Sequence, residues 1–282
     1  MVVHGSKDMP APERRRVELG KFLRARRARL SPADFGMPAG LRRRTPGLRR
    51  EELALLAGVG VTWYTWLEQG REINVSTQVL DALARTLRLD HAERWHMYVL
   101  AEAAPVSVST GRCSVPDAIT EILQALDPLP AVVTNARFDI LTENGAYHDL
   151  FLNWHSLPCV HRNTLWCTLT EPTAREKFPQ YAESTRHSVA RFRAAYARHV
   201  GDPDWEEDIR RLSSLSSEFA ELWALHEVAE FQPCIRTFIH PDAGPLTFTT
   251  SELQVPATPE ARLVVYTPAD DETRKRLPDT RA

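Results

Sequence analysis

The sequence predicts an all-α domain followed by an α+β domain built on an antiparallel sheet. Three observations predict it. Apolar residues recur at helical spacing through the first hundred positions. The small, polar stretch 104–111 (APVSVSTG) then breaks the pattern. Beyond it, short β-type runs precede and follow a long helical middle, an order that argues for one sheet with helices packed on it.

Residues 1–12 read as a loose leader. Val17, Leu19, Phe22, Leu23 and Leu30 recur among charges and predict a helix from Arg14 to Leu30. A loop with three prolines and three glycines follows, SPADFGMPAGLRRRTPGL. Four short helices are expected at 49–57, 61–69, 76–87 and 90–102, completing a first domain of residues 1–103. After the linker at 104–111, a second domain is expected over 112–268. It opens with a helix, Pro116–Leu126, and two strands, Ala131–Asn135 and Phe138–Thr142, with a turn at Ala136–Arg137. A helical region over 145–226 is interrupted by Pro158, Pro172, Gly201 and Pro203. Strands return at Cys234–His240, Leu246–Leu253 and Leu263–Thr267, and the charged segment 269–282 reads as a disordered tail.

The 282 residues suffice for two cores, with 43% hydrophobic and 26% charged residues, both globular values. No run of eighteen apolar residues exists, which excludes a spanning helix, and no secretory signal is visible in the first thirty. Cys113, Cys159, Cys167 and Cys234 form no CxxC pair, so a reduced cytoplasm is the expected compartment. The net charge of −2 hides a division, with +6 over residues 1–104 and −8 over the remainder. The first fifty residues hold 14 basic against 4 acidic side chains, which points one end at a polyanion.

The informative string is LRREELALLAGVGVTWYTWLEQG, Leu48 to Gly70. Leu53, Ala54 and Ala57 give a first helix an apolar face with small residues where helices cross closely. Gly58 suits a left-handed helix end, Gly60 stands where a second helix starts, and Tyr64 and Leu67 form that helix's inward face. Two short helices around such a turn make a helix-turn-helix. The string resembles the XRE/lambda-repressor class, whose second helix lies in the major groove of duplex DNA. The match implies roles. Arg49 and Arg50 stand at the start of the first helix, where phosphate binds. Val61, Thr62 and Trp66 fall on the outward face of the second, with Thr62 suited to base edges and Val61 to a thymine methyl. Trp63 suits packing and DNA contact equally. Gly60 replaces the usual Ser or Thr cap. Arg42, Arg43 and Arg44, in the preceding loop, are expected at phosphate or in the minor groove.

The blocks RRRTPGLRREELALLAG and VTWYTWLEQGREINVSTQVLDALARTLRLD, with SSEFAELWALHEV and IHPDAGPLTF far downstream, resemble the MmyB-like regulators over residues 14–268. That resemblance implies a PAS-like ligand-binding second domain and a fatty acid as ligand. The implied protein is a bacterial, nucleoid-associated one-component sensor, a homodimer reading an inverted-repeat operator. A pocket for a small apolar ligand wants hydrophobic walls and a few polar groups. Tyr147, Phe151, Trp154, Leu165, Trp166 and Phe192 are candidate walls. Tyr196, Trp223, Phe238 and Phe248 extend them, and His226 and Arg236 are candidate carboxylate holders.

No other chemistry is expected. His155, Cys159, His161 and Cys167 are too loosely spaced for the usual zinc patterns, so no metal site is assigned. The absence of GxSxG, HExxH, P-loop and GxGxxG motifs leaves no catalytic residues and no cofactor apart from the apolar ligand. A different class remains open: a DNA-bound scaffold whose second domain contacts a protein partner and takes no small ligand.

Overall fold

The computed structural model describes residues 10–37, 47–102, 115–151, 162–255, 258 and 260–277. The chain divides into two compact units. The first is Met1–Val108 with Arg193–Arg211 and Leu222–Ala229; the second is Ser109–Phe192 with Leu212–Glu221 and Glu230–Ala282. Segments expected within 112–268 thus belong with the N-terminal unit. The expected linker, 104–111, lies outside the described residues.

Unit one is helical. It begins with α1 (Ala11–Ala28), whose early proline presets the first turn, and a short 3-10 turn at Pro32–Phe35. There follow α2 (Arg50–Ala57), α3 (Val61–Glu68), α4 (Thr77–Thr86) and α5 (His91–Leu100). The starts of the last two are fixed by side chains. The Ser76 hydroxyl accepts from Val79 N, and the Asp90 carboxylate accepts from Glu93 N at 2.8 Å. Leu19, Phe22, Leu23, Leu53, Tyr64, Leu67, Leu80, Leu83 and Met97 bury themselves between these helices. A Cβ on Gly20 would lie 2.4 Å from the Glu68 carbonyl oxygen, so only glycine lets α1 approach the end of α3 this closely.

Unit two opens with α6 (Asp117–Ala125), β1 (Ala131–Thr134) and β2 (Ile140–Glu143). Next come α7 (Gly145–Leu150), α8 (Thr164–Thr170), α9 (Ala174–Lys177) and α10 (Tyr181–Tyr196). Further helices, α11 (Pro203–Leu215) and α12 (Ser217–Ala224), of which residues 203–211 and 222–224 belong to the first unit, precede β3 (Ile235–His240), β4 (Gly244–Gln254) and β5 (Arg262–Pro268). The five strands form one antiparallel sheet in the order β2-β1-β5-β4-β3. The α+β architecture is the expected one.

Period-2 alternation divides the sheet's side chains between two cores. Leu263 and Val265 of β5, with Ala131 and Val133 of β1, pack with Leu123 of α6. Val132, Phe238, Leu246 and Phe248 point the other way, toward Tyr147 and Leu150 of α7. Asn144 ties this corner together: its buried Oδ1 accepts from Tyr147 N and Ala131 N, both at 3.0 Å, and its Nδ2 donates to Leu129 O at 2.8 Å.

Two local expectations are corrected. The second strand begins at Ile140, not Phe138, because residues 135–139 form a tight turn. The Asn135 side chain accepts from Arg137 N and Asp139 N, both at 2.9 Å, and Phe138 is held at φ 70°. The supposed disordered tail contains a helix, α13 (Asp271–Arg276). Asp270 caps it by accepting from Thr273 N at 2.7 Å, and Leu277 is buried in the core beside the sheet. Charge along its exposed side masked the one apolar anchor that docks it.

Candidate functional site

Two sites were expected, and each lies within one unit. In the first unit, α2 and α3 flank the turn Gly58–Val59–Gly60. Gly58 ends α2 in the left-handed conformation at φ 69°, and no side chain caps α3 at Gly60. Tyr64 and Leu67 face the core, while Val61, Thr62 and Trp66 face solvent; Trp63 is half-buried. The Arg71 guanidinium lies 5.8 Å from the Trp66 ring, which accounts for part of the cost of exposing an indole.

Beneath this surface lies a buried carboxylate, Glu68, at the end of α3. Glu68 accepts from Arg27 Nε and Nη2, both at 2.9 Å, from Arg50 Nε at 3.0 Å and from Arg24 Nε at 3.2 Å. Its side chain is fully buried. Burial alone would raise its pKa, but the Arg27 and Arg50 guanidiniums hold it below the usual carboxylate value. One residue thereby pins α1, α2 and α3. The expectation that Arg50 faces phosphate is modified accordingly, since its guanidinium is committed to Glu68. Arg49 is exposed and donates only its backbone N–H, to Glu52 at 2.7 Å, beside a loose ion pair with Glu51 at 3.9 Å. Arg42, Arg43 and Arg44 lie outside the described residues.

The second unit holds a cavity of about 110 Å³ between the sheet and α7, α8 and α10. Of the expected wall residues, Tyr147, Phe151, Leu165, Arg236 and Phe238 line it. Phe151, Phe178, Phe238 and Tyr266 form an aromatic cluster with centroid separations from 5.1 to 6.2 Å. The polar wall comes from inward positions of three strands. Arg236 donates Nε–H to the Cys234 sulfur at 3.3 Å. Glu252 accepts two hydrogen bonds from Arg191, at 2.7 and 2.8 Å, and pairs with Arg262 at 3.0 Å. Burial lowers the pKa of Arg191 and Glu252 offsets the effect.

The other expected wall residues sit elsewhere. Phe192 packs on Phe138 and Phe219, Phe248 is fully buried under Phe238, and Trp166 is buried outside the cavity lining. Tyr196, Trp223 and His226 belong to the first unit. There the Tyr196 hydroxyl donates to Glu206 at 2.7 Å, and the Arg193 guanidinium stacks 3.6 Å from the Trp223 ring. His226 is corrected as a carboxylate holder. Its Nδ1 faces Arg193 at 3.0 Å, and burial, then the Arg193 charge, lowers its pKa to about 4. A neutral histidine beside an arginine has no attraction for an anion to add. Trp154, His155, Cys159 and His161 lie outside the described residues, and Cys167 is buried in α8. Among the described residues no three His, Cys, Asp or Glu side chains group as a metal site.

The residues that line the cavity without having been nominated share a signal. Thr250 and Glu252 on β4, and Arg262, Val264 and Tyr266 on β5, are spaced by two and so share one face of the sheet. A charge at an inward strand position marks a lined space rather than a packed core.

Two family models match the chain, one to each side of residues 98–114. A helix-turn-helix domain family matches residues 18–97. The MmyB-like transcription regulator ligand binding domain family matches residues 115–279. A search of curated proteins returned no match. No helix among the described residues is long and apolar enough to cross a membrane. The families point to a transcription regulator rather than an enzyme. With its second match covering more than half its length, the chain belongs to the MmyB-like transcription regulators, DNA-binding proteins that carry a ligand-binding domain.

Proposed function

We propose that this regulator is a one-component sensor. It binds an inverted-repeat operator as a homodimer, and a small apolar ligand, a fatty acid among the candidates, changes its affinity for that DNA. Val61, Thr62 and Trp66 face the bases in this reading, with Arg49 and the Arg42–Arg44 cluster at phosphates.

The observation that carries the reading is the cavity of about 110 Å³ inside the domain matched to ligand binding. A domain serving only as a protein-docking scaffold has no need of an aromatic cavity with buried arginines.

The test is operator binding by the full chain on DNA from upstream of its own gene, followed by fluorescence anisotropy. A compound that binds the second domain is expected to change operator affinity about 5- to 150-fold, the usual range of coupling between two sites. A compound that binds without changing operator affinity would overturn the sensing role and leave DNA binding standing.

A further inference from the structure

Resting on the reading of α3 as the helix that meets the bases, we infer that the operator half-site is selected through the C5-methyl groups of its thymines. In this inference α3 makes no two-point contact to guanine or adenine.

The first argument is what α3 lacks. In the major groove guanine is matched in two points by Arg or Lys, and adenine by Asn or Gln. The whole of α3, VTWYTWLE, contains none of these four residue types. Its one charged side chain, Glu68, is fully buried and shared by Arg24, Arg27 and Arg50, so it is not open to a cytosine amine. Gln69 and Arg71 come only after the helix has ended, and the Arg71 guanidinium lies 5.8 Å from the Trp66 ring. The residues of a reading helix that meet base edges are its N-terminal ones.

The second argument is what α3 presents. Positions 61, 62, 65 and 66 share one face by helical spacing. Val61 is 45% exposed and Trp66 39%, while Tyr64 and Leu67 on the inward side are buried. The Thr65 hydroxyl donates to Val61 O at 2.8 Å, so it has no proton left for a base. Thr62 keeps the one hydroxyl on this face without a partner among the described residues. The indole of Trp66 adds a single N–H donor, which cannot make a two-point contact. An exposed isopropyl group, two threonine methyls and an indole thus surround one free hydroxyl.

The third argument is complementarity. Covering this apolar face is favourable only against apolar atoms, and the apolar feature of the major groove is the C5-methyl group of thymine. A 5-methylcytosine carries the same group, so it is the second possible source of the same contact.

The test takes duplexes enriched by the full chain from a random pool and follows binding by fluorescence anisotropy. Replacing single thymines by deoxyuridine deletes only the methyl. It should weaken binding about fourfold at one or more half-site positions, the equivalent of one methylene withdrawn from water. Val61→Ala should remove that penalty at one position, and Thr62→Ala should leave it in place. Replacing single guanines by 7-deazaguanine, which lacks the N7 acceptor, should change little. At a position sensitive to deoxyuridine, a 5-methylcytosine pair in place of the thymine pair distinguishes the sources. Retained affinity makes the methyl sufficient on either base, and lost affinity makes thymine the ligand. If no deoxyuridine costs more than about twofold in a duplex preferred over random DNA, the inference is overturned and sequence-specific binding stands. A loss on 7-deazaguanine without one on deoxyuridine overturns it in the same way. If no sequence is enriched at all, the inference and the base-reading role of α3 fall together.

Discussion

Glu68 shows how much one side chain can decide. Four hydrogen bonds from three arginines converge on a carboxylate with no solvent access. Removing its charge would leave Arg27, itself largely buried and also donating to Leu48 O, without a counter-ion. Glu68→Gln is expected to cost about 3 kcal/mol, the range for breaking one side of a buried pair, as read by urea unfolding. Loss of less than about 1 kcal/mol would mean that solvent or another carboxylate replaces it. The same residue sets an acid limit. Its folded pKa is depressed, so its contribution is present above the unfolded value and is lost as pH falls through the folded one. Stability should therefore drop below about pH 4.5, and the drop should be smaller in the Gln variant.

At the scale of elements, α3 is the part whose surface chemistry matters most. Its inward face, Tyr64 and Leu67, is fixed by the core, which leaves Val61, Thr62 and Trp66 outside by geometry alone. Thr62 stands in the first turn with its side chain exposed. On the proposed reading, Thr62→Ala should weaken operator binding by about 1–3 kcal/mol and random-sequence binding much less. Equal losses on both DNAs would move Thr62 to the phosphate-contacting set. The sheet obeys a similar rule with period two. Val264 and Tyr266 on β5 face the cavity because their neighbours Leu263 and Val265 are taken by the core under α6, and Arg236 and Phe238 on β3 line the same cavity while their neighbours Ile235 and Ile239 are exposed.

For the whole molecule, the proposed dimer carries a geometric consequence. Two reading helices entering one face of the duplex must be spaced by about one helical turn, roughly 34 Å. Footprinting should show two half-sites at that separation, and lengthening the spacer by half a turn should abolish tight binding. A single half-site protected at saturating protein would make the functional form a monomer.

Much of this was legible in the sequence, for a physical reason. Helix and strand periods are local, so α2 through α5 and all five strands could be placed from spacing. Gly58 announced a left-handed helix end because few other residues adopt one cheaply. The short apolar foothold of α13 was missed because a single anchoring residue, Leu277, has no period. What the sequence could not decide is which inward residues meet empty space and which meet each other. Phe248 and Phe238 are both inward aromatics on neighbouring strands, yet one is core and the other lines the cavity. Arg191 and Glu252 are 61 residues apart and pair only because α10 covers β4. Burial, pairing and the size of a cavity are properties of elements packed together, and no stretch of chain contains them by itself.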